Sequence, residues 1–426
     1  MLPLNPTENA SPEALHAFLA QCQTQAKATD AEILVSISIT VDAMDPLAVL
    51  EAIYEPGHPH FYAEHPSDQT AIAGAEVAAA VKFSGKQRFD QLQAWSKKLC
   101  GNTIAVGAVD ATFGGPHVFV AASFLPEVGS EEPFAALSAF VPSWQVARAG
   151  DSTTAVANIS VGPTSDLRQV GERILRAHAR FGRISFDESA AESVPAEPGG
   201  IVRHESGDFR ARVAEAVSRI AAGEFEKIVL ARSVDLTADR AFHPLAALNG
   251  LRQRFPDCFS FSVANGAGHS FIGASPERLV RVSQGVLESD VLAGSIRRGS
   301  GAAQDALLGD ELLGSEKDLR EHHLVLSSVV RRLVQLGLNP THADRPQLRK
   351  LANVQHLHTP VQAPLTDDVG LLEAVAQLHP TPAVGGSPRD PAVAAIPGIE
   401  EFPRGLYAGA LGWMNARGGG EFRVGI

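Results

Sequence analysis

Ser315-Glu316-Lys317-Asp318-Leu319-Arg320-Glu321-His322-His323, continued by Leu324-Val325-Leu326-Ser327-Ser328-Val329-Val330, is the stretch around which the rest of the chain is organised. Leu324, Val325, Ser328, Val329 and Leu333 recur at helical spacing and share one face. Ser315 suits the N-cap, and Glu316 and Asp318 suit the positive first turn. Asp318 and Glu321 are three residues apart, so on a helix both carboxylates point the same way. Two such carboxylates repel unless a cation sits between them. Mg²⁺, held by a carboxylate or two plus the anionic group of a substrate, is the usual solution. A solvated helix start whose charges do nothing is the other reading of the same residues.

The charge balance narrows the partners. The 426 residues carry 36 Lys and Arg against 48 Asp and Glu, a net charge of −12. Nucleic acid and an anionic membrane surface are therefore poor partners, although a few placed cations can still hold a small anionic substrate. A hydrophobic content of 45% suits a soluble globular protein with a large core. The length fits two or three domains, or one fold with two halves. Cys22, Cys100 and Cys258 are far apart and odd in number, so they form neither a disulfide framework nor a metal knot, and a reducing cytoplasm is expected. The first residues lack the basic region and apolar run of a signal peptide. No apolar run approaches the roughly 18 residues that a membrane span needs.

In chain order, residues 11–30 read as an amphipathic helix opened by Ser11-Pro12, and 32–41 as a strand. A second strand lies around His60–Ala63, before Ala71-Ile-Ala-Gly74. Residues 86–99 form a helix with Phe89, Leu92, Trp95 and Leu99 on one face. Strands are expected at 117–124 and 136–141, and a helix at 165–180. The acidic, Pro- and Gly-rich segment 187–200 is the best linker candidate. It separates an N-terminal α+β half, 1–200, from a second region, 201–426, denser in unusual local sequence and the expected seat of any catalytic residues. Beyond it come a helix over 208–222 (Phe209, Val213, Ala216, Val217, Ile220) and a strand Phe225–Arg232. A hairpin follows from Phe259–Val263 and Ser270–Val280, then a strand over 286–292 running into a turn at Ala293–Gly299. Strands and helices mix without βαβ alternation, and no Gly-rich nucleotide motif occurs, so an α+β fold with large mixed or antiparallel sheets is expected.

Several residues in the second half could carry chemistry. Lys227, among apolar neighbours, either snorkels to the surface or is held inside as a base with a lowered pKa. Glu277, after Ser275-Pro276, is either a surface acid paired with Arg278 or a carboxylic acid kept protonated in an apolar pocket, as a general acid requires. Gly294-Ser295 could cradle a carboxylate with backbone N–H groups, Arg297-Arg298 supplying charge, or could be a plain hairpin turn. His356 could be a core histidine or a substrate contact, and its spacing forms no zinc pattern.

These residues fall in a series: Lys227-Ile-Val-Leu-Ala-Arg232, Phe271-Ile-Gly-Ala-Ser-Pro-Glu-Arg278, Leu292-Ala-Gly-Ser-Ile-Arg-Arg-Gly299, Ser315-Glu-Lys-Asp with Glu321-His322, His356-Leu-His-Thr359, Leu378-His-Pro-Thr-Pro-Ala-Val-Gly-Gly386 and Arg404-Gly-Leu-Tyr-Ala-Gly409. The series resembles the chorismate-utilising enzymes, a family that includes isochorismate, anthranilate, aminodeoxychorismate and salicylate synthases. It covers 206–426, while the first 200 residues match loosely through Ala71-Ile-Ala-Gly74 and Arg88-Phe89 with Trp95. Within the family the chain is most similar to the isochorismate synthases. Lysine stands where anthranilate synthases commonly carry glutamine, and Ala293 stands where aminodeoxychorismate synthases typically use a lysine nucleophile. No amidotransferase segment is visible, so no such subunit is expected.

The resemblance implies the chorismate-binding fold of anthranilate synthase component I and an Mg²⁺-dependent isomerase. Lys227 would take a proton from a water attacking C2 of chorismate, and Glu277 would protonate the departing C4 hydroxyl. Mg²⁺ held through Glu321, with Asp318 beside it, would bind the ring carboxylate. Gly294, Ser295 and Tyr407 would hold the substrate carboxylates, and His356 and Thr359 would line the ring. Salicylate synthase, which continues by eliminating pyruvate, shares the lysine. The chain ends at Gly420-Glu421-Phe422-Arg423-Val424-Gly425-Ile426, where the family continues with an arginine for the pyruvyl carboxylate and a second metal glutamate. The expectation is therefore a chain shortened at its C-terminus, with weakened substrate and Mg²⁺ binding, an unpaired edge in the central sheet, and impaired catalysis at the extreme.

Overall fold

A computed structural model of the chain describes residues 11–53, 55, 57–172, 174, 200–205 and 207–426. The linker expected at 187–200 falls, except for Gly200, outside these residues. So does the end of the helix expected over 165–180, which is helical from Leu167.

Two sheets form the body. The first has eight strands in the order Ser270–Ser275, Phe259–Asn265, Pro59–His65, Thr70–Ala75, Trp144–Ala149, Ser152–Val161, Ile33–Val41 and Thr103–Gly107. The second has ten. Its path runs Thr341–His342, Val354–Pro364, Val286–Arg297, Arg278–Ser283, Gly420–Val424, Ala410–Asn415, His117–Ala122, Leu137–Val141 and Ala79–Phe83, with Gln347–Lys350 also paired to Val354–Pro364. Within these two sheets only Ile33–Val41 and Thr103–Gly107 pair in parallel. The fold is thus the α+β arrangement of large, mostly antiparallel sheets packed with helices. Both halves of the sequence build both sheets: Phe259–Asn265 pairs with Pro59–His65, and Ala410–Asn415 with His117–Ala122.

The sheets stack face to face, and helices cover their outer faces. Phe61, Ala63, Ile72 and Phe261 of one sheet meet Phe119, Ala121 and Leu411 of the other. The rings of Phe61 and Phe119 stack with centroids 4.6 Å apart. Gly74 permits this approach, since a Cβ there would lie 2.6 Å from the Phe119 ring. The helices Arg88–Gly101, Glu316–Gln335 and Leu371–Leu378 cover the ten-stranded sheet, packing Leu92, Val325, Val329, Leu333, Leu372 and Val375 on Val280, Leu287 and Val291. Pro12–Thr29, capped by Ser11, lies over Val35 and Ile159 of the other sheet. Pro46–Ala52 and Pro244–Arg254 lie over its Tyr62 and Val146.

Three local expectations change, and one helix that occurs as expected is barely covered. The strand over Phe225–Arg232 shrinks to Lys227–Ile228, because the groups that take up its backbone come from a loop and from side chains rather than from a neighbouring strand. The turn at Ala293–Gly299 is a continuation of the strand Val286–Arg297, kinked by a bulge between Leu292 and Ser295. Gly294, at φ +83°, supplies the left-handed residue that such a bulge favours. The helix Phe209–Ala221 buries only Ala216 and leaves Val213 and Val217 exposed: periodicity says which residues share a face, not whether anything covers it. Finally, Gly420–Val424 is interior, paired with Arg278–Ser283 and Ala410–Asn415, so the central sheet has no free edge there.

The aromatic layer between the sheets makes a test. Phe119→Ala is expected to cost about 3–5 kcal/mol of stability, because the rigid sheets cannot collapse into the space left. Equilibrium denaturation measures it.

Candidate active site

Ser275 ends a strand of the eight-stranded sheet and Arg278 begins one in the ten-stranded sheet, so Pro276-Glu277 carries the chain from one to the other. A crossover between packed sheets has little access to water. Glu277 is 6% exposed. Its N–H donates to Ser275 Oγ at 3.2 Å, and Thr381 Oγ1 donates to its Oε1 at 3.3 Å. Burial pushes the Glu277 carboxyl up to about 7, against the downward pull of the Thr381 hydroxyl and the Lys227 charge, with Asp290 adding to the rise. The surface pairing with Arg278 does not occur: Arg278 donates to Glu421 at 3.1 Å and to Glu288 at 3.5 Å.

Lys227–Ile228 pairs antiparallel with Gly386–Ser387. Only glycine fits at 386, where φ is +148° and a Cβ would lie 2.3 Å from the Lys227 carbonyl oxygen. The Lys227 side chain turns inward, 14% exposed, and Nζ donates to Glu321 Oε1 at 2.8 Å. It does not snorkel. Glu321 is presented by the helix Glu316–Gln335. There Ser315 caps the Asp318 N–H at 3.3 Å, and His322, Val325, Leu326, Ser328, Val329 and Leu333 form the buried face, with Leu324 at its rim.

The other expected residues gather around the same helix, but not all face one way. Asp318 accepts the Ser315 hydroxyl and lies against Gly294, where a Cβ would be 3.1 Å from Asp318 Cβ. Asp318 and Glu321 therefore have separate partners. Ser295 stands opposite His356 in the register, Oγ to Nδ1 2.7 Å. Burial alternates strictly along Val354–Pro364, so His356 and Thr359 lie on opposite faces of their strand and do not line one ring together. Thr359 is buried against His322, Oγ1 to Nε2 2.8 Å, while His322 Nδ1 lies 3.1 Å from the Ala293 carbonyl. A carbonyl only accepts, so Nδ1 carries the proton and Nε2 accepts from Thr359. Arg298 is spent on Asp305 at 2.7 Å, leaving Arg297 as the exposed cation near Gly294-Ser295. Tyr407 is 42% exposed, in a turn tied to the last strand through Ala408 N–H to Gly425 O at 2.8 Å.

Sequence reasoning assigned no role to Thr381, Glu400 or Arg404. Thr381 and Arg404 fall inside quoted motifs, yet a threonine after His-Pro or an arginine before Gly-Leu-Tyr carries no spacing signal of its own. Arg404 and Glu400 form a buried pair, Nε to Oε2 2.9 Å. Arg404 also donates to the carbonyls of Val229 at 2.7 Å and Val384 at 2.9 Å. His379 reaches the N-terminal half, its Nε2 3.2 Å from the Ser123 carbonyl, which the buried Arg88 also holds.

As a metal site the arrangement is sparse. Among the described residues no group of three or more His, Cys, Asp or Glu side chains is disposed to hold an ion. Glu321, partly exposed and an oxygen donor, fits an ion such as Mg²⁺ that takes one or two carboxylates and leaves room for substrate oxygens. Asp318, one turn before it, gives one carboxylate oxygen to the Ser315 hydroxyl.

A model of the chorismate binding enzyme family matches residues 17–426. The chain is 33% identical over 416 residues to the salicylate biosynthesis isochorismate synthase of Pseudomonas aeruginosa, covering 97% of this chain and 85% of that protein. It is 30% identical over 423 residues to the isochorismate synthase MenF of Bacillus subtilis, covering 97% and 88%. Among solved structures, the menaquinone-specific isochorismate synthase MenF of Escherichia coli matches with a TM-score of 0.75 at 24% identity, over 97% of this chain and 89% of that one, a likeness of fold. With the family's model spanning nearly all of the chain and two full-length relatives at this identity, the protein belongs to the chorismate binding enzymes.

Proposed function

We propose that the protein is an isochorismate synthase, an isomerase that moves a hydroxyl between ring carbons of chorismate. The observation that carries this reading is that one loop, His379–Ser387, contacts both an inward lysine, Lys227, and a buried carboxyl, Glu277, whose pKa is raised to about 7. Base and acid are the two groups that such a transfer needs. Lys227, in its neutral form, takes a proton from water as the water oxygen bonds to C2. The ring double bonds shift and the C4–O bond breaks. Glu277 gives its proton to the departing hydroxyl, which leaves as water. No atom is gained or lost overall, and no ammonia is used, so no amidotransferase subunit is required. Thr381 donates to Glu277 Oε1 and so restrains its carboxyl. Gly294-Ser295, His356, Arg297 and Tyr407 are the candidates for holding the substrate's two carboxylates. Mg²⁺ on Glu321 would supply positive charge for the ring carboxylate. The reaction belongs in the cytoplasm, consistent with three free cysteines and with no described helix long and apolar enough to cross a membrane. The product would feed menaquinone or catecholate siderophore assembly.

Incubation with chorismate, with and without Mg²⁺, and chromatography of the products test the reading. Isochorismate formed only with Mg²⁺ is the expected outcome; salicylate with pyruvate, or no turnover, would overturn it. Glu277→Gln should lower kcat by about 10²–10⁴-fold, and Lys227→Met by a similar factor. Because Glu277 must be protonated to donate, kcat should fall as pH rises through about 7.

The same group sets a stability trend. Its folded pKa lies above the ordinary value of 4.5, so its contribution is complete below 4.5 and is lost as pH rises through about 7. Glu277→Gln, which keeps an acceptor for Thr381, should therefore raise stability at pH 8 by roughly 2–3 kcal/mol relative to the parent chain while removing activity. Denaturation at pH 5 and pH 8 compares the two chains, and the gap should narrow at the lower pH.

A further inference from the structure

We infer that the buried Glu400–Arg404 pair is a positioning device for Lys227, holding the irregular backbone on which the lysine stands through the atoms of Val229 and Ala231. The segment has almost no secondary structure of its own. Its two-residue ladder to Gly386–Ser387 is supplemented by Glu226 N–H to Ser387 O at 2.8 Å and Val229 N–H to Gly385 O at 3.0 Å. Beyond Val229 those loop contacts stop, and the ion pair takes over. Arg404 donates to the Val229 carbonyl at 2.7 Å, and Glu400 accepts the Ala231 N–H at 2.6 Å. The pair thus grips the chain from both sides of Leu230, one group by a carbonyl and the other by an N–H.

The environment makes that grip stiff. The side chains of Arg404 and Glu400 are 3% and 1% exposed. The guanidinium packs over the Phe124 ring, 4.3 Å from its centroid, and spends another donor on Val384 O in the loop that pairs with Lys227. A buried ion pair gives a fold little that apolar residues of the same volume would not. Here each charged group instead reaches a backbone atom within four residues of the lysine. Their bonds are charge-assisted, and so are strong enough to set a geometry. Displacing a reacting group by about 1 Å can cost roughly 10²-fold in rate, which is the scale on which such a clamp acts.

The inference rests on the role of Lys227 as base, so its test carries one readout that needs no activity. Glu400→Gln and Arg404→Lys are compared with the parent chain and with Glu401→Gln, a neighbouring exposed acid that pairs with Arg212 at the surface. Hydrogen exchange should show the amides of 226–231 opening about tenfold or more faster in the first two variants, with the sheets protected as before. On chorismate, kcat should fall about 10- to 100-fold while KM stays within about threefold. The Glu401→Gln variant should match the parent in both. Unchanged exchange over 226–231, or a lower melting temperature with kcat per folded molecule intact, would overturn the inference. If the parent chain fails to turn chorismate over, the function proposed above falls, and exchange alone still decides whether the pair clamps the segment. Should Arg404→Lys fail to fold, Glu400→Gln, of the same shape, gives the result.

Discussion

The loop from His379 to Ser387 holds both groups of the proposed chemistry at once, and the rest of the site depends on that constraint. Its Thr381 hydroxyl bonds Glu277, and its Gly386-Ser387 backbone pairs with Ile228 and Lys227. Lysine and glutamate come from segments fifty residues apart and from different structural contexts, one a short ladder and the other a crossover between sheets. Neither could set the distance to the other alone. The loop sets it, because one short segment touches both, Glu277 through the Thr381 hydroxyl and Lys227 through its backbone. The loop is in turn held from outside. Arg404 grips Val384, His379 bonds the carbonyls of Ser123 and Phe124, and Arg389 bonds the His379 carbonyl at 3.0 Å. Ser123 and Phe124 follow a strand contributed by the first half of the sequence, so that half supports the site.

Desolvation separates the two glutamates of the site. A carboxyl taken from water prefers to be neutral, and Glu277 has no cation bonded to it. Glu321, by contrast, sits on the partly exposed flank of its helix with Lys227 at 2.8 Å. Burial holds Glu277 towards its neutral form, while Glu321 accepts a hydrogen bond from Lys227. The same physics accounts for His322, whose pKa burial pulls down. It bridges Thr359 and the Ala293 carbonyl as a neutral ring, and so ties the bulge at Gly294 to the helix behind it.

Much of this was legible in the sequence where the signal is local. The cap at Ser315, the apolar stripe through Leu333, the helix carrying Phe89 and Leu92, and the hairpin of Phe259 and Phe271 all follow from spacing and cap chemistry, and all occur. What stayed open depends on residues distant in the chain. Whether Lys227 snorkels is decided by Glu321, and whether Glu277 pairs with Arg278 is decided by Glu421, more than ninety and one hundred and forty positions away. The helix Phe209–Ala221 shows the reverse case: its apolar spacing is real, but Val213 and Val217 meet solvent. His356 and Thr359 share a sequence motif, but their odd separation on the strand Val354–Pro364 puts them on opposite faces.

The charges near Glu277 explain why one acid can remain unpaired in so polar a place. Arg278 and Arg423 share Glu421, at 3.1 and 2.6 Å, and Asp290 lies between His358 at 3.0 Å, Arg349 at 3.4 Å and Arg278 at 3.9 Å. Each carboxylate in this set has a cation, and each arginine has a carboxylate. A cluster closed in this way has little free positive charge to ionise Glu277, and Asp290, held ionised by His358 and the arginines, adds a negative charge that opposes it. Had Arg278 turned towards its sequence neighbour, Glu277 would be an ordinary ion-paired carboxylate with no proton to give near neutral pH. The last strand, which brings Glu421 and Arg423 beside Arg278, is therefore part of the acid's environment as well as of the sheet.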